Sequence, residues 1–131
     1  MSQGLLLSDD LIFTSRIAGT ARALGLTVKA GRSADALLAL ARQQAPACVL
    51  LDLHNPGLDL PDLLRRLAEV CAPLPRVVAY GSHVDTATLK AARAAGCDKV
   101  LPRSQFVEEL PDALVDWLTA PLVEKADQAG K

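Results

Sequence analysis

Five short apolar runs punctuate the chain: Leu5-Leu6-Leu7, Leu26-Thr27-Val28, Cys48-Val49-Leu50-Leu51, Val77-Val78-Ala79-Tyr80 and Val100-Leu101. They are too continuous for half-exposed strands and read as strands buried on both faces. Their starts lie 21, 22, 29 and 23 residues apart. Each interval accommodates one helix and two turns, the crossover that parallel strands require. Right-handed crossovers then place helices on both faces of the sheet. The pattern predicts an α/β fold, a doubly wound, five-stranded parallel sheet, for which 2-1-3-4-5 is the usual strand order.

The intervals carry helix punctuation. Phe13, Ile17, Ala21 and Leu24 recur at helical spacing over 11–24, and Gly25 stops the run. Ser33 suits the N-cap of a second helix bearing Leu37, Leu40 and Ala41. Pro61 suits the first turn of a third, with Leu63, Leu64, Leu67 and Val70 behind it. Asp85 can cap an Ala-rich fourth helix that ends at Gly96. The fifth interval is less regular. Ser104 can cap a short turn over 105–109, and Pro111 is expected to break the helix there. A new helix from about residue 111 would bury Leu114, Trp117 and Leu118. This predicts one domain over 1–120 and a polar tail over 121–131.

Composition adds exclusions. Half of the 131 residues are apolar but only 3% are aromatic, so Leu, Ala and Val must fill the core. The net charge of −1 and the absence of a Lys/Arg run argue against a nucleic-acid surface. No apolar stretch is long enough to span a bilayer, and residues 1–4 do not resemble a secretion signal. Cys48, Cys71 and Cys97 match no zinc or redox spacing and are expected to be reduced thiols of a cytoplasmic protein.

In an open parallel sheet, ligands bind beyond the carboxyl ends of the strands. Ser8, Asp9 and Asp10 follow the first strand and Asp52 ends the third; Gly81, Ser82 and His83 follow the fourth, and Pro102, Arg103 and Ser104 the fifth. Strands one, three and four are neighbours in the predicted order, so three carboxylates meet at one crevice. They repel one another unless a cation neutralises them, and hard oxygen donors suit Mg²⁺. One cap of the first helix accounts for one of the acids, not for all three. His54 and His83 also fall at this rim. They are two loop histidines or, with the carboxylates, ligands for a softer ion such as Zn²⁺.

The segments Leu5-Leu6-Leu7-Ser8-Asp9-Asp10, Asp52-Leu53-His54-Asn55-Pro56-Gly57-Leu58-Asp59 and Ala95-Gly96-Cys97-Asp98-Lys99-Val100-Leu101 resemble receiver domains of bacterial response regulators, of the chemotaxis type. The resemblance spans about residues 4–118 and implies a flavodoxin-like fold. It implies that Asp9 and Asp10 hold Mg²⁺ with Asp52 and the backbone carbonyl of His54, and that Asp52 is the phospho-acceptor. It implies a histidine kinase or phosphotransfer protein as donor and a downstream protein as target. The face formed by strand five and helices four and five is implied as a surface for homodimers.

The chain also departs from that pattern. Gly81 stands where receivers carry the switch Thr or Ser, with Ser82 one step later. Arg103 replaces the usual Lys, Ser104 the Pro after it, and Val100 the switch aromatic. Arg is planar and longer than Lys, so the exchange is not neutral. Two readings follow: a non-enzymatic two-component receiver, or a pseudo-receiver that interacts or dimerises without phosphorylation. A flavin protein would need a phosphate loop where Ser8-Asp9-Asp10 stands. An Asp-nucleophile phosphatase would carry an acid where His54 stands.

Overall fold

A computed structural model describes residues 3–119. The elements alternate strictly: β1 (Gln3–Leu7), α1 (Leu11–Ala23), β2 (Thr27–Gly31), α2 (Ala34–Gln43), β3 (Cys48–Asp52), α3 (Leu60–Val70), β4 (Arg76–Gly81), α4 (Thr86–Ala95), β5 (Lys99–Pro102) and α5 (Arg103–Thr119). The strands form one sheet in the order β2-β1-β3-β4-β5, with every neighbouring pair parallel. This is the doubly wound arrangement expected from the spacing of the apolar runs.

Because successive strand residues face opposite sides, the continuous runs feed two cores. Leu5, Leu7, Val49, Leu51, Val77 and Ala79 pack beneath α2, α3 and α4. Leu6, Leu50, Val78 and Tyr80 pack beneath α1 and α5. Every residue of β1 and β3 is buried, as two covered faces demand.

Local signals set the helix starts. The side chains of Asp10, Ser33, Asp59 and Asp85 accept the N–H groups of Phe13, Ala36, Asp62 and Thr88 at 3.0–3.2 Å. Each satisfies a donor that its helix cannot satisfy internally. Gly96 ends α4 with φ +108°, the left-handed region that favours glycine.

Two expectations fail. The second apolar run is not buried on both faces: Thr27, Lys29 and Ala30 are exposed. β2 lies at the sheet edge and has a single strand neighbour. Leu26 precedes the strand rather than starting it. Secondly, Pro111 does not break the last helix. α5 runs without interruption from Arg103 to Thr119, so Ser104 lies inside its first turn rather than capping it. An interior Pro costs roughly 3 kcal/mol. Against it stand Phe106, Leu110, Leu114, Trp117 and Leu118, all buried along one face, each worth about 1.5–3 kcal/mol. Packing outweighs the local penalty, and Pro111 itself is exposed. The predicted polar tail over 121–131 lies outside the described residues.

Candidate functional site: an acidic cleft at the carboxyl edge

The carboxyl ends of β1, β3, β4 and β5 open into a cleft of about 860 Å³, whose lining includes Asp9, Asp10, Asp52, His54, Gly81, Ser82, His83, Arg103 and Ser104. Asp9, Asp10, Asp52, His54, Gly81, Ser82 and Arg103, the metal and phosphate residues expected from sequence, therefore lie at one place. Register explains the convergence. Leu7 pairs with Leu51, and Asp52 with Tyr80, so the next step beyond β1 lies beside Asp52.

Asp52 is 8% exposed. Its Oδ2 accepts the Ser8 hydroxyl at 3.1 Å, and its Oδ1 accepts the backbone N–H of His54 at 2.9 Å. Charge-assisted bonds of this kind let a carboxylate stay buried. The turn after it suits the Pro56-Gly57 pair: Gly57 has φ +76°, and Asp59 two residues later caps α3.

The carboxylates share the cleft, but they are turned to different partners. Asp10 caps α1 and lies 3.1 Å from the Arg103 guanidinium. The Phe13 amide and, next, Arg103 hold its carboxyl below the usual range. The Arg103 guanidinium also covers the Phe13 ring at 4.1 Å, a cation–π contact. Asp9 is exposed at the cleft. The chain thus supplies positive charge to its own acidic cleft, Arg103 paired with Asp10 and Arg16 also in the lining, which the count of acids alone did not anticipate. Among the described residues, no group of three or more His, Cys, Asp or Glu side chains is arranged to hold a metal ion. As they stand, neither the three carboxylates alone nor the carboxylates with the two histidines form such a group. His54 is engaged instead: its Nε2 accepts the Ser82 N–H at 2.9 Å.

Ser82, one step beyond the missing switch position, lines the cleft. Its Oγ accepts the Val84 N–H at 3.3 Å within its own loop. At Gly81, an added Cβ would lie 3.1 Å from His54 Nε2.

Two residues not expected at the site flank Asp52 on the same face of the sheet. Ser8 is fully buried, bonded to Asp52 and accepting the Asp10 N–H at 3.2 Å. Tyr80 is fully buried, its ring between Phe13 at 5.1 Å and Phe106 at 4.5 Å. Its hydroxyl makes no formed hydrogen bond among the described residues. Burial and then the charge of Asp52 push the phenol well up, with Ser8 pulling the other way. The signal for both was positional: each is the polar residue that closes an apolar run level with Asp52. Trp117 is core, stacked on Phe106 at 5.8 Å.

No described helix is long and apolar enough to cross a membrane. No family model matches the sequence. A response regulator, TmoT of Ectopseudomonas mendocina, is 30% identical over 93 residues, 71% of this chain and 42% of that protein. The chain thus spans less than half the length of this curated relative. The receiver domain of NtrX from Brucella abortus superposes with a TM-score of 0.76 at 23% identity, covering 91% of this chain and all of that one. The signal receiver domain of a NarL response regulator from Mycobacterium tuberculosis gives 0.72 at 21%, covering 92% and 98%. A receiver domain from Clostridium thermocellum gives 0.74 at 19%, covering 90% and 94%. The chain thus resembles a response regulator in sequence over 93 residues and shares the fold of solved response regulator receiver domains.

Proposed function

We propose that Asp52 accepts a phosphoryl group from a phosphohistidine on a histidine kinase or phosphotransfer protein, and that the domain passes the change on by protein–protein contact in the cytoplasm. The observation that carries this reading is the setting of Asp52. It is a nearly buried carboxylate, held by two donors, at the floor of an open cleft. One oxygen bonds to phosphorus as the P–N bond breaks; the departing imidazole keeps the bonding electrons and takes a proton from water. The Ser8 hydroxyl and the His54 N–H fix the carboxylate in place, which lowers the entropic part of the barrier. Arg103 stands at the rim, able to leave Asp10 for phosphoryl oxygens.

The donor set fits Mg²⁺. It consists of oxygens alone, and Asp9 is open to solvent. Asp9, Asp52 and the His54 carbonyl would hold the ion, with Asp10 joining once released from Arg103; waters complete a Mg²⁺ shell that needs few carboxylates. When bound, the ion offsets charge that develops on the phosphoryl oxygens.

A second reading rests on the Arg103–Asp10 pair. A cleft already carrying its own cation suits a pseudo-receiver that works by interaction or dimerisation without phosphate. Titration of the amide NMR spectrum with Mg²⁺ and then beryllofluoride, a phosphoryl mimic, separates the two. Saturable shifts at residues 8–10 and 52–54 that vanish in Asp52→Asn support the phospho-receiver. No response to either addition overturns it in favour of the interaction module.

A further inference from the structure

We propose that the His54 side chain occupies the space of the absent side chain at position 81 and ties Asp52 to the loop that starts α4. Gly81 has no positive φ, so its backbone does not require glycine. The space around it is tight. An added Cβ would meet His54 Nε2 at 3.1 Å, Leu89 Cδ2 at 3.3 Å and Leu53 Cβ at 3.5 Å. The first of these atoms is already committed, because His54 Nε2 accepts the Ser82 N–H at 2.9 Å. A side chain at 81 therefore requires the exposed imidazole to give by a few tenths of an ångström, at the expense of its bond to the Ser82 N–H.

The same residue holds Asp52 from its other end. The His54 backbone N–H donates to Asp52 Oδ1 at 2.9 Å. Beyond Ser82 the connection continues: the Ser82 carbonyl accepts the Asp85 N–H at 3.1 Å, and Asp85 caps α4 through Thr88 at 3.1 Å. Bonded groups thus run without a gap from the Asp52 carboxylate to the first turn of α4. A group added to Oδ1 takes that oxygen from the His54 N–H, shifts the β3–α3 loop and moves the ring that anchors Ser82. The imidazole then performs, from the β3 side, a linkage that a hydroxyl at 81 would make from the β4 side. His54 is a positioning residue here, and only its link to phosphorylation rests on the function proposed above.

Two measurements test this. The first is a double-mutant cycle by urea unfolding, using Gly81→Ala, His54→Ala and the pair. Gly81→Ala should lower the unfolding equilibrium constant's margin by about fivefold or more in the wild-type background, the scale of one lost hydrogen bond, and by clearly less in His54→Ala. Equal costs in both backgrounds overturn the pairing. The second is the spread of beryllofluoride-induced amide shifts, read at saturation with Mg²⁺. Shifts should pass from the β3–α3 loop through Ser82 and Asp85 to Thr88 in wild type. They should stop at the loop in His54→Ala and extend again in His54→Gln, whose Oε1 can stand in for Nε2. Shifts reaching Thr88 in His54→Ala overturn the tie. A wild-type protein that ignores beryllofluoride overturns the phospho-receiver reading and the signalling role with it, while the cycle still decides the pairing.

Discussion

Replacing Tyr80 with Phe removes one oxygen atom and leaves the packing of the ring intact. The contacts with Phe13 at 5.1 Å and Phe106 at 4.5 Å do not involve the hydroxyl. In most proteins a buried Tyr→Phe change loses a hydrogen bond and costs about 0.5–1.5 kcal/mol. Here the sign should reverse. The Tyr80 hydroxyl is fully buried and, among the described residues, meets no partner within normal hydrogen-bond distance and angle. An unsatisfied buried polar group costs about 1–3 kcal/mol. Taking the low end, because Ser8 lies beside the hydroxyl, Tyr80→Phe should stabilise the domain by about 1 kcal/mol, roughly fivefold in the unfolding equilibrium. Urea unfolding followed by the fluorescence of Trp117 is a suitable assay, since this single Trp is buried against Phe106. The midpoint should rise with an unchanged slope. A loss of 1 kcal/mol or more would refute the reasoning. It would place the hydroxyl in a formed bond, with Ser8 as the partner to test by adding Ser8→Ala.

Asp10, Asp85 and Glu109 all have folded-state carboxyls held below their ordinary values of 3.8, 3.8 and 4.5, chiefly by the Phe13 amide, the Thr88 hydroxyl and the Gln105 side chain. A depressed folded pKa gives stability that is present above the ordinary value and lost as pH falls through the folded one. The urea midpoint should therefore drop as pH is lowered below about 4.5, and Asp85→Asn should flatten the slope. A midpoint constant down to pH 3 would contradict this. Arg103→Gln removes the cation beside Asp10 and should strengthen Mg²⁺ binding about two- to fivefold, the scale of an exposed ion pair; calorimetric titration reads it directly. Unchanged affinity would show that Arg103 does not compete for the cleft.

The cleft itself was legible in the sequence because strand ends are. An apolar run stops where the chain leaves the sheet, so Asp9, Asp10, Asp52 and Arg103 declare themselves by following such runs. What each side chain bonds to was not legible. Asp10 and Arg103 are 93 positions apart, and His54 and Ser82 are 28 apart. Residue type says that each can pair, but sequence order does not say with what. Gly81 shows the same limit. As a sequence feature it reads as a missing hydroxyl, and only the ring of His54 3.1 Å away makes it a matter of space.

Periodicity and capping chemistry act within a few residues, so the sequence alone determined the alternation of strands and helices and the helix starts, while the spatial order of the strands is a tertiary property. Tertiary structure decided whatever depends on long-range burial. It kept α5 whole through Pro111, because five buried side chains outweigh one lost backbone bond. It left three of the five residues of β2 exposed, because a strand at the sheet edge has one neighbour rather than two. It set Ser8 and Tyr80 on either side of Asp52, because register between strands is fixed by which faces must be buried, and no single strand carries that information.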